Sequence, residues 1–391
     1  MEIENKNKIC FITTVSETIE SFILEYAKYI HENTNWDISF ICNYDESFKQ
    51  NLPNYINYYP VHMKRGISLT CLSAIFKMVS IFKREKFNMI QYSTPNASLY
   101  ASLSGFFTSV PVRLYCQWGI AYVGFKGVKR KIFYYIEKII CFFSTVIEPD
   151  SKSNLEFSID EKLYKKDKAK VIWNGSACGI NLNKFNFNNK NKYRKEIRKC
   201  LEINLNNFVY GYVGRITKDK GINELLVAYR KILDKHNDIN LIIVGGDKND
   251  GTIDNDLFNW ATNQGSIKFI KNTNYVEKYL SCMDVFVMPS YREGFGMSII
   301  EAEAMDVPVI VSRIPGPIDA IIEDVTGFFV EKKNIIDLFN KMEKMYLNKA
   351  FIVNNHIASK YVKNNFDQEI LFNKLLKDRK ELLGYKENEK K

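Results

Sequence analysis

Two glutamates stand eight positions apart in Ser290-Tyr-Arg-Glu293-Gly-Phe-Gly-Met-Ser-Ile-Ile-Glu301, where the apolar run Asp284-Val-Phe-Val-Met288 gives way through glycines to a helical pattern. Gly294 and Gly296 let the backbone approach a ligand closely, and the first N–H groups of a helix are natural donors to phosphate oxygens. Glu301, inside the predicted helix, is placed to accept from two ribose hydroxyls, and Glu293 on the loop to reach a sugar ring. These residue types suit a nucleotide-sugar, although two solvated carboxylates on a strand-to-helix turn would spell the same pattern. A second loop supplies cations. In Gly211-Tyr-Val-Gly214-Arg215-Ile-Thr-Lys-Asp-Lys220-Gly221, Arg215 and Lys220 lie beside a predicted helix start. A guanidinium grips phosphate oxygens as a fork and an ammonium adds a movable point charge, so the pair suits a diphosphate. Alone, such a pair is more often a solvated basic turn; two anion-suited loops in one half of the chain favour the binding reading.

The elements that must position these loops are short apolar runs alternating with helical patterns, the signature of parallel sheets built from β-α units. Strands are predicted at 9–15, 38–42, 89–92, 112–117, 145–148 and 170–173 in the first half, and at 209–213, 241–244, 268–270, 285–288 and 307–311 in the second. The expected fold is α/β, with two Rossmann-like doubly wound domains facing a cleft. Residues 1–180 form the first domain, joined by a C-terminal helix at about 366–385. An Asn- and Lys-rich linker follows at 181–198, and the second domain spans 199–365. Ligands in such sheets bind outside the carboxyl ends of strands, which is where both loops fall.

At 391 residues the chain exceeds one ordinary core, and 46% hydrophobic with 26% charged residues is a globular composition. Fifty-five Lys plus Arg against 45 Asp plus Glu leave a net +10. That favours an anionic partner without choosing among phosphates, an acidic membrane surface and nucleic acid. Eight cysteines without a C-x-x-C pair read as reduced small hydrophobes, and four histidines lack metal-ligand spacing, so no metal site is expected. Asp254-Asn-Asp256 spells a D-x-D, but a helix N-cap explains it better. No uncharged apolar stretch reaches the roughly 18–20 residues that span a bilayer, and the polar N-terminus has no signal pattern. The expected location is cytoplasmic, with peripheral attachment to the inner face of the plasma membrane as an option. Lys126–Phe143 has a basic start and an apolar body, which fits a helix lying on an anionic bilayer as well as a buried one. Tyr55, Tyr58 and Tyr59 with Lys64-Arg65 suit a sugar, a membrane or the core.

Taken together, these motifs resemble the retaining GT-B glycosyltransferases of family 4. The resemblance rests on Gly214-Arg215 with Lys220-Gly221, Pro289-Ser-Tyr-Arg-Glu293-Gly-Phe-Gly-Met-Ser-Ile-Ile-Glu301-Ala, Val307-Pro-Val-Ile-Val311 and Thr326-Gly-Phe-Phe-Val330. In the first half, Phe11-Ile-Thr-Thr-Val15 with Ser21-Phe22, and Val171-Ile-Trp-Asn174-Gly175-Ser176, are similar to the branch that builds bacterial capsule, O-antigen and other lipid-linked saccharides. The resemblance implies transfer with retention from a nucleoside diphosphate sugar, UDP-linked, to a saccharide acceptor carried on polyprenyl diphosphate. It also implies that Arg215 and Lys220 bind the donor diphosphate, that Glu301 binds the ribose, and that Glu293 and the backbone of Gly294, Phe295 and Gly296 hold the sugar. Gly214 and Met297 complete the donor set. Catalysis would fall to Glu293, Arg215 and Lys220 without metal or cofactor, the cations replacing a divalent ion. Lys220 is expected to be exposed. One departure stands out: many relatives carry His before a glycine in the first half, whereas this chain reads Gln117-Trp118-Gly119 with Trp118 at the His position, so Gln117 or Trp118 is expected to do no more than shape the sugar pocket. The alternatives are a UDP-sugar 2-epimerase of the same fold and a noncatalytic nucleotide- or nucleic-acid-binding protein.

Overall fold

The computed structural model describes residues 6–64, 71–246, 250–348 and 356–385. Arg65 and the charged tail 386–391 lie outside the described residues. The chain divides into two compact units, Met1–Cys178 with Glu369–Lys391, and Gly179–Gln368.

The first unit is built on β1 (Lys8–Ile12), β2 (Asp37–Ile41), β3 (Ile56–Tyr58), β4 (Met89–Tyr92), β5 (Val112–Gln117) and β6 (Val146–Pro149). All pair in parallel in the order β3-β2-β1-β4-β5-β6. The helices between them are α1 (Ser16–Phe22), α2 (Leu24–Asn33), α3 (Glu46–Asn51), α4 (Cys71–Glu85), α5 (Pro95–Phe107), α6 (Gly127–Phe143) and α7 (Lys152–Asp160). Alternate side chains of β1 feed two cores. Ile9 and Phe11 face one that includes Leu371 and Phe372, and Cys10 and Ile12 face one that includes Met78, Ala101 and Ile140. Burial on both faces is why these strands read as unbroken apolar runs.

The second unit follows with α8 (Lys190–Cys200), β7 (Phe208–Val213), α9 (Ile222–Leu233), β8 (Ile239–Val244), α10 (Asn255–Thr262), β9 (Ile267–Ile270), α11 (Val276–Ser281) and β10 (Val285–Met288). It closes with α12 (Met297–Ala304), β11 (Val309–Ser312), α13 (Pro317–Ala320), β12 (Gly327–Val330), α14 (Ile335–Leu347) and α15 (Ile357–Asn365). Its parallel order, β12-β11-β10-β7-β8-β9, repeats that of the first sheet. Strand order reverses between β1 and β4 and again between β7 and β10, the positions where doubly wound sheets open a ligand crevice. The chain then returns as α16 (Gln368–Leu382) to the first unit.

Two expectations need correction, and one strand was not foreseen. Residues 181–198 are not a linker, because they belong to the second unit and three of their cations, Lys190, Arg194 and Arg198, bond inside it. Arg198 is fully buried, its guanidinium 2.8 Å from Asp284, Arg194 is 2.7 Å from the same carboxylate, and Lys190 Nζ donates to the Asp306 carbonyl at 2.6 Å. The division of the chain instead falls between Cys178 and Gly179 and between Gln368 and Glu369. Residues 170–173 are not a strand: only Ala169 bridges to Ile147, and Trp173 takes a left-handed φ of 54°. Conversely β3 went unread, being three residues long and only partly buried. The cysteines are all free, and all but Cys71 and Cys200 are buried.

Arg379 of α16 is buried in the first unit. Its Nη2 lies 2.9 Å from Glu148 Oε1 on β6 and its Nη1 2.6 Å from Asp378, which also pairs with Lys170. A buried carboxylate stripped of its cation is expensive. Arg379→Ala should therefore lower stability by about 3–5 kcal/mol in urea unfolding, whereas an exposed arginine such as Arg84 should change it by under ~1 kcal/mol.

Candidate active site

β7 and β10 are neighbours, with Tyr210 opposite Val285 and Gly211 opposite Phe286, so the loops leaving their carboxyl ends adjoin. The first loop, 214–221, ends at Gly221, which has φ +73° and begins α9. A Cβ there would lie 2.1 Å from the Pro289 carbonyl oxygen, so only glycine lets α9 start against the root of the second loop. The two loops are then laced together. Tyr291 N donates to the Asp219 carbonyl at 2.8 Å, and Tyr291 OH donates to the Glu224 carboxylate in the first turn of α9.

At the centre of the lacing, adjacent residues of opposite sign pair crosswise. Lys220 Nζ sits 2.7 and 2.8 Å from the two carboxylate oxygens of Glu293, and Arg292 Nη2 sits 2.9 Å from Asp219 Oδ2. The Lys220 and Glu293 side chains are only 18% and 10% exposed, so Lys220 is not the exposed cation expected from the sequence. Burial raises the Asp219 pKa, but the Thr217 hydroxyl at 2.6 Å and the cations Arg292, Arg215 and Lys220 outweigh it and hold the carboxylate below its usual range. Arg215 is exposed, and its guanidinium makes no hydrogen bond or ion pair among the described residues. Its backbone is fixed by Tyr212 OH, which donates to its carbonyl at 2.9 Å, closing the turn that contains Gly214.

On the second loop Gly294 is half-buried, and Gly296, at φ +90°, precedes α12 with no side-chain cap on the helix. Ile299 N donates to the Gly296 carbonyl at 2.9 Å, while the Met297 and Ser298 N–H groups receive no side-chain cap. Phe295 is 2% exposed, and its ring packs edge-on against Phe366 at 5.2 Å, so only its backbone can border a ligand. Met297 is half-buried against the same core. Glu301 is partly exposed and forms no contact with Lys220, Arg215 or Glu293 among the described residues. Burial pushes its carboxyl up to about 7, Lys184 pulling it down and Glu277 adding to the rise. The structure therefore joins Lys220 to Glu293 directly and leaves Arg215 and Glu301 as separate groups in the same unit, with no side-chain hydrogen bond or ion pair among the described residues.

Elsewhere the expectations divide. Gln117 is fully buried: its Nε2 donates to Glu137 at 2.7 Å, and its Oε1 accepts from Tyr164 OH at 2.9 Å and Ser158 Oγ at 3.1 Å. It is a core residue whose amide is taken up by these three partners. Trp118 is partly buried, its ring 5.6 Å from that of Phe22. Asp254 caps α10, accepting from Leu257 N at 2.9 Å, as the N-cap reading requires. Asp219, Arg292, Tyr291 and Glu224 were missed. The alternation Asp219-Lys220 and Arg292-Glu293 was visible, but nothing local says that the two dipeptides face each other.

Comparison with known proteins bears on the family and the fold. Residues 193–365 match the family of glycosyl transferases group 1. The chain is 33% identical over 370 residues to the capsular polysaccharide biosynthesis glycosyltransferase CapM of Staphylococcus aureus, covering 94% of this chain and 95% of that one. It is 25% identical, over 86% of each chain, to the UDP-Gal:alpha-D-GlcNAc-diphosphoundecaprenol alpha-1,3-galactosyltransferase of Escherichia coli. The fold is that of the GT-B enzymes: a glycosyltransferase structure from Rickettsia africae superimposes with a TM-score of 0.79 at 21% identity, covering 98% of this chain and all of that one.

Two measurements test the site as described. In a double-mutant cycle, Lys220→Ala and Glu293→Ala should be non-additive in unfolding free energy, with a coupling of about 1–2 kcal/mol; additive losses would mean the pair does not interact. For Glu301, the folded pKa near 7 lies above the unfolded value of about 4.3. The folded chain binds that proton more tightly, so this contribution favours folding at low pH and is lost as pH rises toward 7. Glu301→Gln should therefore gain thermal midpoint relative to the wild type between about pH 4.5 and 7.

Proposed function

The chain belongs to the glycosyl transferases of group 1, and from that premise we propose that it transfers a hexose-type sugar, with retention, from a UDP-sugar to a saccharide acceptor carried on polyprenyl diphosphate. The product would be a unit of a capsule- or O-antigen-type surface polysaccharide, made at the cytoplasmic face of the membrane. The observation that carries the donor half of this reading is the Lys220–Glu293 pair, set at the reversal of strand order beside an unengaged Arg215. The acceptor half and the choice of UDP draw on the Escherichia coli relative, whose name states both a UDP-sugar and a diphosphoundecaprenol-linked acceptor.

As the bond from the anomeric carbon to the diphosphate oxygen breaks, its electron pair leaves with the diphosphate, and negative charge grows there. Fixed cations stabilise that charge more in the transition state than in the ground state. Arg215 offers its fork, and Lys220, already aimed by Glu293, keeps one N–H for a phosphate oxygen. Both oxygens of Glu293 lie on the ammonium, which suits a sugar-facing, positioning carboxylate better than a covalent nucleophile of the glycosidase kind. The acceptor oxygen would then bond to the same face of the anomeric carbon while its proton passes to the departing phosphate. Glu301 accepts the ribose hydroxyls in this scheme, and the start of α12, with the backbone of Gly294 through Gly296, holds the sugar. No metal or cofactor enters the scheme.

The test is a thermal-shift series with UDP, GDP, ADP and their sugars in EDTA. Binding to the folded state raises the midpoint by mass action. A shift confined to uridine nucleotides and insensitive to EDTA is expected; a shift that appears only with a divalent ion would overturn the metal-free clamp. Arg215→Ala should keep the wild-type midpoint, because the side chain is exposed and unpaired, yet lose on the order of 10²-fold in kcat. Full turnover in that variant would remove Arg215 from the mechanism.

A further inference from the structure

Along α6, Val128, Ile132, Tyr135, Ile139 and Phe142 recur at intervals of four and three residues and therefore share one side of the helix. All five are exposed, Val128 at 74% and Phe142 at 73%. The helix buries only Glu137, Ile140 and Cys141 on its opposite side. At its carboxyl end the stripe runs into aromatic residues from α5. The Phe106 ring lies 4.8 Å from that of Phe143 and 5.8 Å from that of Phe107, and Phe142 lies 5.1 Å from Phe143. Phe107 is 65% exposed. This amounts to a continuous apolar face, where single scattered hydrophobes would need no explanation.

The charges on α6 decide what covers this face. Lys129, Arg130 and Lys131 are exposed in its first turn and a half, Lys126 immediately precedes it, and Lys138 is half-exposed beside the stripe. Lys129 lies over the Phe125 ring at 4.2 Å and Lys138 over Tyr134 at 5.5 Å, so their stems rest on aromatic surface while their ammonium groups stay at the rim. The one acid in the helix, Glu137, is turned inward, accepting from Tyr115 OH and Gln117 Nε2. Near the rim, Glu161 lies 3.5 Å from Arg130. The exposed side of α6 thus combines an apolar stripe with cations and carries no carboxylate of its own. A second copy packed on it symmetrically would bring like charges together. No described helix is long and apolar enough to cross a membrane.

We propose that the outer side of α6 and the aromatic end of α5 form a bilayer-contact surface, the stripe entering the headgroup–acyl boundary and the flanking lysines meeting anionic phospholipid headgroups. The argument stands on the first unit alone; it rests on the proposed function only for its consequence, that the enzyme would meet a lipid-carried acceptor where that acceptor resides.

The test uses the full chain in co-sedimentation with vesicles of phosphatidylglycerol and phosphatidylcholine, against pure phosphatidylcholine. Wild-type protein should sediment with the anionic vesicles, and less so at high salt. Val128→Ser/Tyr135→Ser/Phe142→Ser should weaken binding by about tenfold or more, and Lys126→Gln/Lys131→Gln by roughly thirtyfold. These residues are exposed, so both variants should keep the wild-type thermal midpoint. Wild-type protein left in the supernatant with anionic vesicles, or serine variants that bind equally well, would overturn the proposal. So would a lipid-free wild-type dimer in sedimentation velocity that the serine substitutions dissociate. Turnover of a water-soluble acceptor should be unchanged in both variants; its absence even in the wild type would count against the proposed function and leave the vesicle result standing.

Discussion

In the second unit, β7 and β10 adjoin although three strands' worth of chain separates their loops in sequence. What makes that adjacency useful is a crossed exchange of charge, Lys220 with Glu293 and Asp219 with Arg292. Each loop contributes an acid and a base at consecutive positions, so neither loop can shift along the other without breaking both pairs. A ligand arriving at this reversal of strand order meets a preformed cation, and the cost of arranging it is borne during folding.

The same strand is also fastened at its other end. Asp284, just before β10, accepts from Arg194 and Arg198 of α8 and from Val209 N on β7, the last at 2.8 Å. Arg198 further donates to the carbonyls of Cys282, Leu205 and Asn207, so its buried charge is well supplied with acceptors. Isolated buried charge is costly, and a guanidinium with its acceptors arranged in a fixed fork is the form a protein tolerates. With its start and its exit both fixed by ion pairs, β10 is a rigid mount for Glu293 and α12.

The net charge of +10 is therefore not one feature but several. Some cations are internal fasteners, Arg198 in the second unit and Arg379 in the first. One, Arg215, is exposed at the candidate donor site and has no partner among the described residues. Others gather at the start of α6 beside exposed apolar side chains. Composition sums these uses, and only placement separates them.

How far the sequence reached follows from the range of the forces involved. Alternating apolar runs and helical periods were enough for two doubly wound α/β units, because burial of strands on both faces imprints a local pattern. The glycine-bounded motifs carrying Arg215, Lys220, Glu293 and Glu301 were legible for the same reason: a turn that needs glycine and a helix start that needs no side-chain cap are written in consecutive residues. The family followed from those motifs. What failed depended on partners distant in the chain. The stretch 181–198 looked like a solvated linker because its lysines and arginines gave no hint of Asp284 or Asp306; Gln117 looked like a pocket residue because Glu137, Tyr164 and Ser158 were unknown to it; and Lys220 looked exposed because Glu293 lies 73 positions away. By itself the sequence determined periodicity, turn chemistry and residue type, which act over a few residues. Tertiary structure alone decided which charges pair, which are buried and which stay exposed, because Coulombic and desolvation energies depend on distance in space and not along the chain.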